Sequence, residues 1–269
     1  SIRVFEQSKL KGVTNVDTTK KSRTVLSLCS GYGGIERGLN LAGVEHRVVA
    51  YVEIEAFPIA LLVSKMEKGL LDAAPVWTNL KTLPVEPFRD RVDILTGGYP
   101  CQPFSVAGKR KAEKDERHLW PYIREIIRAV RPVRCFFENV EGHISLGLRE
   151  VLSDLENLGY KTAWGIFSAA EVGAPHQRKR VFIMADSTRK GLQGRPFNST
   201  LSKGREEGAH FGNESSRMPP DESAWFAESK ICRVVNGCPD RGDRIKLLGN
   251  GVVPKTAAKA WAVLSEELA

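Results

Sequence analysis

The sequence predicts an α/β protein built on a parallel, doubly wound sheet. Three observations carry that reading. Strand-like runs alternate with helix-period segments through the first two thirds of the chain, the pattern of βαβ units. Most of the strand-like runs are near-continuous apolar stretches, as expected of strands covered on both faces. Glycine-bearing turns and carboxylates fall where strands end, the edge at which such sheets bind ligands.

The first strand is predicted over Thr24–Cys29 (TVLSLC), followed by the turn SGYGG and a helix over Ile35–Leu41. Arg47–Val52 (RVVAYV) and Val92–Thr96 (VDILT) are the next strands. Ile123, Ile126, Ile127 and Val130 recur at helical spacing before the strand Val133–Glu138 (VRCFFE). Leu148, Val151, Leu152 and Leu155 repeat that spacing before Thr162–Phe167 (TAWGIF) and Arg180–Ala185 (RVFIMA). After Asp186 the text turns to Gly, Ser, Asn, Arg and Glu without a period, the signature of a loop-rich insertion or a disordered stretch. Order returns at Lys246–Leu248, then GNGVVPK, then a helix with Ala257, Trp261, Leu264 and Leu268 on one face.

The 269 residues suffice for one large domain, and 42% hydrophobic with 27% charged content is ordinary for a soluble globular protein. No apolar run approaches the roughly 18 residues of a membrane helix, and the N-terminal stretch lacks the apolar core of a secretory signal. A cytoplasmic location and no membrane partner are the expectation. Five cysteines without a CxxC pair argue against a metal site and against a disulfide framework. The net charge of +8 points to a polyanionic partner. Its excess lies in residues 1–24, with six Lys/Arg against two Asp/Glu, and in residues 109–134, with nine against four. Residues 186–245 are almost neutral, ten against nine.

Several residues have a chemical reading beside a plain one. Gly31, Gly33 and Gly34 let the backbone turn and approach a ligand, or they only join strand to helix. Glu53 ends the second strand, where a carboxylate can accept both hydroxyls of a ribose. Cys101, held between Pro100 and Pro103 behind a strand, is either a reactive thiol or a structural one in a turn. Glu138 is a caged strand-end acid of raised pKa, or a charge at a helix N-terminus. Arg178 and Arg180, two apart at the start of a strand, point to one face for phosphate or base-edge contacts, or belong to a surface charge run.

Taken together in order, SLCSGYGG, GGYPCQPFS, ENV, QRKRVF and GNGVVP resemble the DNA cytosine-C5 methyltransferase family, over all of the chain except its N-terminal tail and residues 187–232. The resemblance implies a Rossmann-like S-adenosylmethionine-dependent methyltransferase fold with a small target-recognition insertion. It divides the chain into an N-terminal extension 1–22, a catalytic domain 23–186, a recognition region 187–245 and a segment 246–269 that completes the catalytic domain. Cys101 is then the nucleophile that adds to C6 of a flipped-out cytosine. Glu138 holds N3 and the exocyclic amine, Arg180 and Arg178 bind O2, and Gln102 and Asn139 order the loop. S-adenosylmethionine, converted to S-adenosylhomocysteine, is implied at Gly31, Tyr32, Gly33, Gly34, Glu53, Ile54, Asn79, Leu80, Pro100, Asn250 and Val252. Nucleic-acid contacts fall to Ser105, Lys109, Arg110, Lys111 and Arg233.

Three positions depart from the family pattern. Cys29 stands where phenylalanine is usual, Ile54 replaces a frequent aromatic, and Asn79 takes the place of an aspartate. The implied partner is double-stranded DNA, bound by a monomer that protects or marks it with or without a cognate restriction endonuclease, as a minimal bacterial or phage enzyme. Two rival readings are a tRNA cytosine-C5 methyltransferase and a DNA-binding scaffold that has lost turnover.

Overall fold

A computed structural model describes residues 22–100, 119–188 and 249–269. The chain runs β1 (Arg23–Leu28), α1 (Gly34–Leu41), β2 (His46–Val52), α2 (Ala56–Glu67), β3 (Val76–Trp77), β4 (Ile94–Gly97), α3 (Trp120–Val130) and β5 (Arg134–Val140). It continues through α4 (His143–Leu146), α5 (Leu148–Asn157), β6 (Tyr160–Phe167), β7 (Arg180–Ser187) and α6 (Pro254–Leu268). The seven strands form one sheet in the order β3-β2-β1-β4-β5-β7-β6. Succession steps one way from β1 to β2 and the other way from β1 to β4, so a crevice opens between the carboxyl ends of β1 and β4.

Alternation along each central strand builds two cores. Leu26, Leu95, Phe137 and Ile183 face α3 and α5 together with Ile123, Ile127, Val151 and Leu155. Their neighbours Val25, Ile94, Phe136 and Phe182 face α1 and α6 with Ile35, Leu39, Trp261 and Leu264. Helices on both faces explain why these strands read as unbroken apolar runs.

The sheet is not wholly parallel. β7 runs antiparallel to both β5 and β6, whereas β1, β2, β3, β4 and β5 pair in parallel. The link from β6 to β7 carries one three-residue 3₁₀ turn, Ala170–Val172, and no crossover helix. The chain therefore reverses and pairs with the strand it has just left. Three elements lie beyond the sequence reading: α2 and β3, on the β2 side of the crevice, and the short helix α4 after β5.

The C-terminal helix is built into the domain rather than appended to it. A Cβ on Gly38 of α1 would lie 2.6 Å from Ala257 Cβ and 2.9 Å from the Pro254 carbonyl, so the two helices meet backbone to backbone. Arg134, its side chain 3% exposed, grips Asp186 through two parallel hydrogen bonds, donates to Ser265 Oγ at 2.7 Å and lies 5.0 Å from the Trp261 ring centre. That fork fixes β5, β7 and α6 to one another.

Candidate active site

A cavity of about 720 Å³ occupies the crevice. Its wall combines the turn after β1, the end of β2 and the residues after β3 with the end of β4, the end of β5 and the segment entering α6. The turn after β1 is a run of left-handed conformations, with φ of 48° at Cys29, 53° at Gly31 and 80° at Gly33. Glycine bears such φ values at little cost. At Gly34 the demand is space, because a Cβ would lie 2.5 Å from the Val252 carbonyl oxygen. That same carbonyl accepts from the Tyr32 hydroxyl, and the Tyr32 carbonyl accepts from Lys65 Nζ at 2.7 Å. Cys29 is a half-buried thiol pushed up to about 12 by loss of solvent and then by the Glu53 charge, so it stays protonated at pH 7.

Glu53 does more for the backbone than its position alone predicts. Oε2 accepts from Gly31 N at 2.8 Å, and Oε1 accepts from Ile54 N at 2.8 Å and Glu55 N at 2.9 Å. A carboxylate has about four acceptor sites, so with three backbone amides bound it keeps acceptor capacity for a ligand. Beside it Ile54 stands 74% exposed, an apolar platform in the cavity wall. Asn79 and Leu80 line the same end. Asn79 Oδ1 caps the 3₁₀ turn Leu80–Thr82 by accepting from Lys81 N at 3.0 Å, which leaves one lone pair for a ligand.

At the opposite end lies Glu138, two residues before the end of β5 and 5% exposed. Burial raises its pKa to about 7, against the lowering influence of Arg180 and then Arg178. Arg180 Nε lies 3.0 Å from Glu138 Oε1 as a close ion pair, but Oε1 receives no directed hydrogen bond among the described residues. The carboxyl thus presents an unfilled acceptor atom to a cavity that both residues line. Asn139 turns away to the preceding strand, with Nδ2 donating to the Tyr99 carbonyl at 3.1 Å and Oδ1 accepting from Val140 N at 2.8 Å. It thereby holds the backbone two residues before Cys101. Pro100, the last described residue before that cysteine, lines the cavity.

Arg178 departs from the expected placement. Its φ of 33° takes it out of extended backbone, so the alternation that would set it beside Arg180 does not apply. Its Nη2 donates instead to the carbonyls of Gly249 at 2.8 Å and Gly251 at 2.6 Å. Arg178 ties down the segment that carries Asn250 and Val252, and Asn250 lines the cavity while Val252 is buried. Cys101, Gln102, Ser105, Lys109, Arg110, Lys111 and Arg233 lie outside the described residues, as do most of 1–22 and 187–245.

Two supporting residues escaped the sequence reading. Tyr99 is buried against Trp120, Phe137 and His143, and its hydroxyl lies 3.1 Å from His143 Nε2. Burial pushes the His143 pKa down to about 4, so the ring is neutral at pH 7. Tyr99 lies inside GGYPCQPFS, and His143 follows ENV by three residues. Among the described residues no helix is long and apolar enough to cross a membrane, and no three His, Cys, Asp or Glu side chains group as metal ligands.

A sequence profile of C-5 cytosine-specific DNA methylases matches residues 23–224. The chain is similar to the type II methyltransferase M.NaeI of Lentzea aerocolonigenes, 32% identical over 61% of this chain and 40% of that protein. M.NgoMIV of Neisseria gonorrhoeae is 34% identical over 60% of this chain and 51% of its own length. The chain spans about half the length of the curated relatives it matches. Among solved structures, a mutant DNMT2 of Spodoptera frugiperda aligns with a TM-score of 0.53 at 24% identity, over 69% of this chain and 54% of that one. The Entamoeba histolytica methyltransferase EhMeth aligns at 0.52 and 20%, over 63% and 54%. Both are likenesses of fold.

Proposed function

The chain belongs to the C-5 cytosine-specific DNA methylase family, and on that premise we propose that it methylates C5 of a flipped-out cytosine in duplex DNA. The observation that carries the reading is Glu138, a buried carboxyl near neutrality with an unfilled acceptor atom beside Arg180, in the cavity wall that Pro100 leads into.

The cavity fits S-adenosylmethionine. Its volume lies within the roughly 300–1,000 Å³ of small-molecule sites, it offers the apolar platform of Ile54, and its glycine turn has no room for a side chain at Gly34. Ile54 and Leu80 would take the adenine, with the remaining Asn79 lone pair for its amine. Glu53 Oε2 would take a ribose hydroxyl, and Gly31–Gly34 with Asn250 and Val252 would enclose the methionine end. When bound, this cofactor supplies the methyl group and departs as S-adenosylhomocysteine.

The protein's own residues do the rest. The Cys101 thiolate forms a bond to C6, and the electrons of the C5–C6 double bond become available at C5. Glu138 bonds to N3 and the exocyclic amine, which offsets the charge that develops as sulfur adds. Arg180 is left to hold O2, while Arg178 secures the Gly249–Gly251 backbone and Asn139 secures Tyr99. Once C5 is methylated, its proton leaves to a base, the C6–S bond breaks and the thiolate is restored. In this proposal residues 187–245 read the target sequence, and Lys109, Arg110 and Lys111 contact phosphates.

Methyl transfer from labelled S-adenosylmethionine to DNA tests the reading, with covalent trapping on DNA that contains 5-fluorocytosine. Cys101→Ala and Cys101→Ser should abolish turnover and adduct together. Normal turnover in either variant refutes the mechanism.

A further inference from the structure

Behind the glycine turn lies a second, much smaller cavity of about 30 Å³. Cys29, Gly31, Gly98, Asn250 and Gly251 line both it and the large cavity, so it is an annex of the proposed cofactor site. A space of this size holds one water or one ammonium group and nothing larger. Glu36, from the first turn of α1, is part of its wall and is 1% exposed. Its Oε1 accepts from Thr96 Oγ1 at 2.7 Å, whereas its buried Oε2 has no hydrogen-bond partner among the described residues. The three hydroxyls in the same wall are already engaged, Ser27 Oγ donating to Ser30 Oγ at 2.9 Å, Ser30 Oγ to the Ser27 carbonyl at 3.1 Å and the Tyr32 hydroxyl to the Val252 carbonyl. No ion pair involves Glu36 among the described residues.

A buried carboxyl oxygen without a donor is costly unless a ligand supplies one. The ligand has to be small, cationic or donor-rich at its tip, and attached to something that fills the larger cavity. An α-ammonium on the amino-acid tail of a nucleoside meets all three conditions. We infer that Glu36 is a binding residue for the α-ammonium of the cofactor's methionine tail, received in this annex. The inference rests on the proposed S-adenosylmethionine site and assigns the charge that distinguishes an amino-acid-bearing nucleoside from a bare one. Thr96 positions the carboxylate by occupying its other oxygen.

Calorimetric titration of the whole chain tests this with two ligands, S-adenosylhomocysteine and its analogue without the α-amine. Glu36→Gln keeps shape and the Thr96 contact while removing the charge. It should bind S-adenosylhomocysteine roughly tenfold to a hundredfold more weakly than wild type, and it should discriminate between the two ligands much less than wild type does. Unchanged affinity for S-adenosylhomocysteine overturns the inference, because the annex then holds only water. An equal loss for both ligands also overturns it, since that is the mark of a structural role. Should the Gln variant not fold, Glu36→Asp carries the same comparison, with the carboxylate drawn back by one methylene and discrimination expected to fall. Wild type that binds neither ligand refutes the cofactor reading itself; wild type that binds both tightly with no effect of position 36 refutes only the role of Glu36.

Discussion

Glu138→Gln offers a thermodynamic test of the candidate base site that needs no substrate. Burial lifts this carboxyl from its ordinary 4.5 to about 7 in the folded protein. Between those two values the folded state keeps a proton that the unfolded chain releases, so this group lowers stability as pH rises. The penalty is absent below about pH 4.5 and complete above about pH 7. At about 1.36 kcal/mol per unit over some 2.5 units it amounts to roughly 3 kcal/mol. Glutamine carries no such penalty, so the variant should gain on wild type by that order between pH 4.5 and pH 8. His143 works in the opposite sense, since its lowered pKa adds stability as pH rises through the same range. Subtracting wild type from variant at each pH removes that contribution. Urea unfolding at pH 4.5, 6 and 8 gives the three differences. A difference independent of pH, or one that turns against the variant as pH rises, refutes the assignment of Glu138 as a buried acid near neutrality. In methyl transfer the same variant should lose roughly a hundredfold to a thousandfold in kcat.

Asn139→Ala leaves the Tyr99 carbonyl and the Val140 amide without their side-chain partner. A loss of about 1–3 kcal/mol in unfolding free energy is expected, together with a fall in kcat at unchanged cofactor affinity, because the backbone leading to Cys101 is freed while the cofactor wall is intact. Cys29, with its thiol pushed up to about 12, should resist iodoacetamide at pH 8 in the native protein. Peptide mass spectrometry that finds Cys29 labelled as fast as a free thiol refutes its raised pKa.

The central strands were legible because helices on both faces make them nearly continuous apolar runs, as in Val25 with Leu26 and Phe136 with Phe137. Strand direction was not, because β7 is as apolar as the parallel strands and only its short link from β6 reveals the reversal. Helix α2 (AFPIALLVSKME) hid for a different reason. Its apolar residues surround the axis, with Leu62 buried and Val63 41% exposed, so no single face repeats at helical spacing. In the site, strand-end carboxylates announced themselves, and Glu53 and Glu138 both line the large cavity. Their remaining acceptor capacity was not legible, because it depends on which backbone amides converge on each oxygen. The bonds of Arg178 to the Gly249 and Gly251 carbonyls were not legible for a similar reason, since they depend on a backbone angle that no residue type at that position specifies.

The contacts of Arg178 also explain how two sites with different ligands can share one frame. Arg180 faces Glu138 at the proposed base site. Two residues earlier, Arg178 holds the carbonyls of Gly249 and Gly251. The next carbonyl along, that of Val252, takes the Tyr32 hydroxyl and presses on Gly34 at the proposed cofactor turn. Gly38 against Ala257 and Arg134 against Ser265 then lock the helix that follows. A chain of direct contacts therefore runs from the buried acid to the glycine turn through the segment entering α6. A displacement of the Gly249–Gly251 backbone would loosen Arg178 and the turn at Gly34 together, so the geometry at the base site and at the cofactor site must stand or fall with the same short segment.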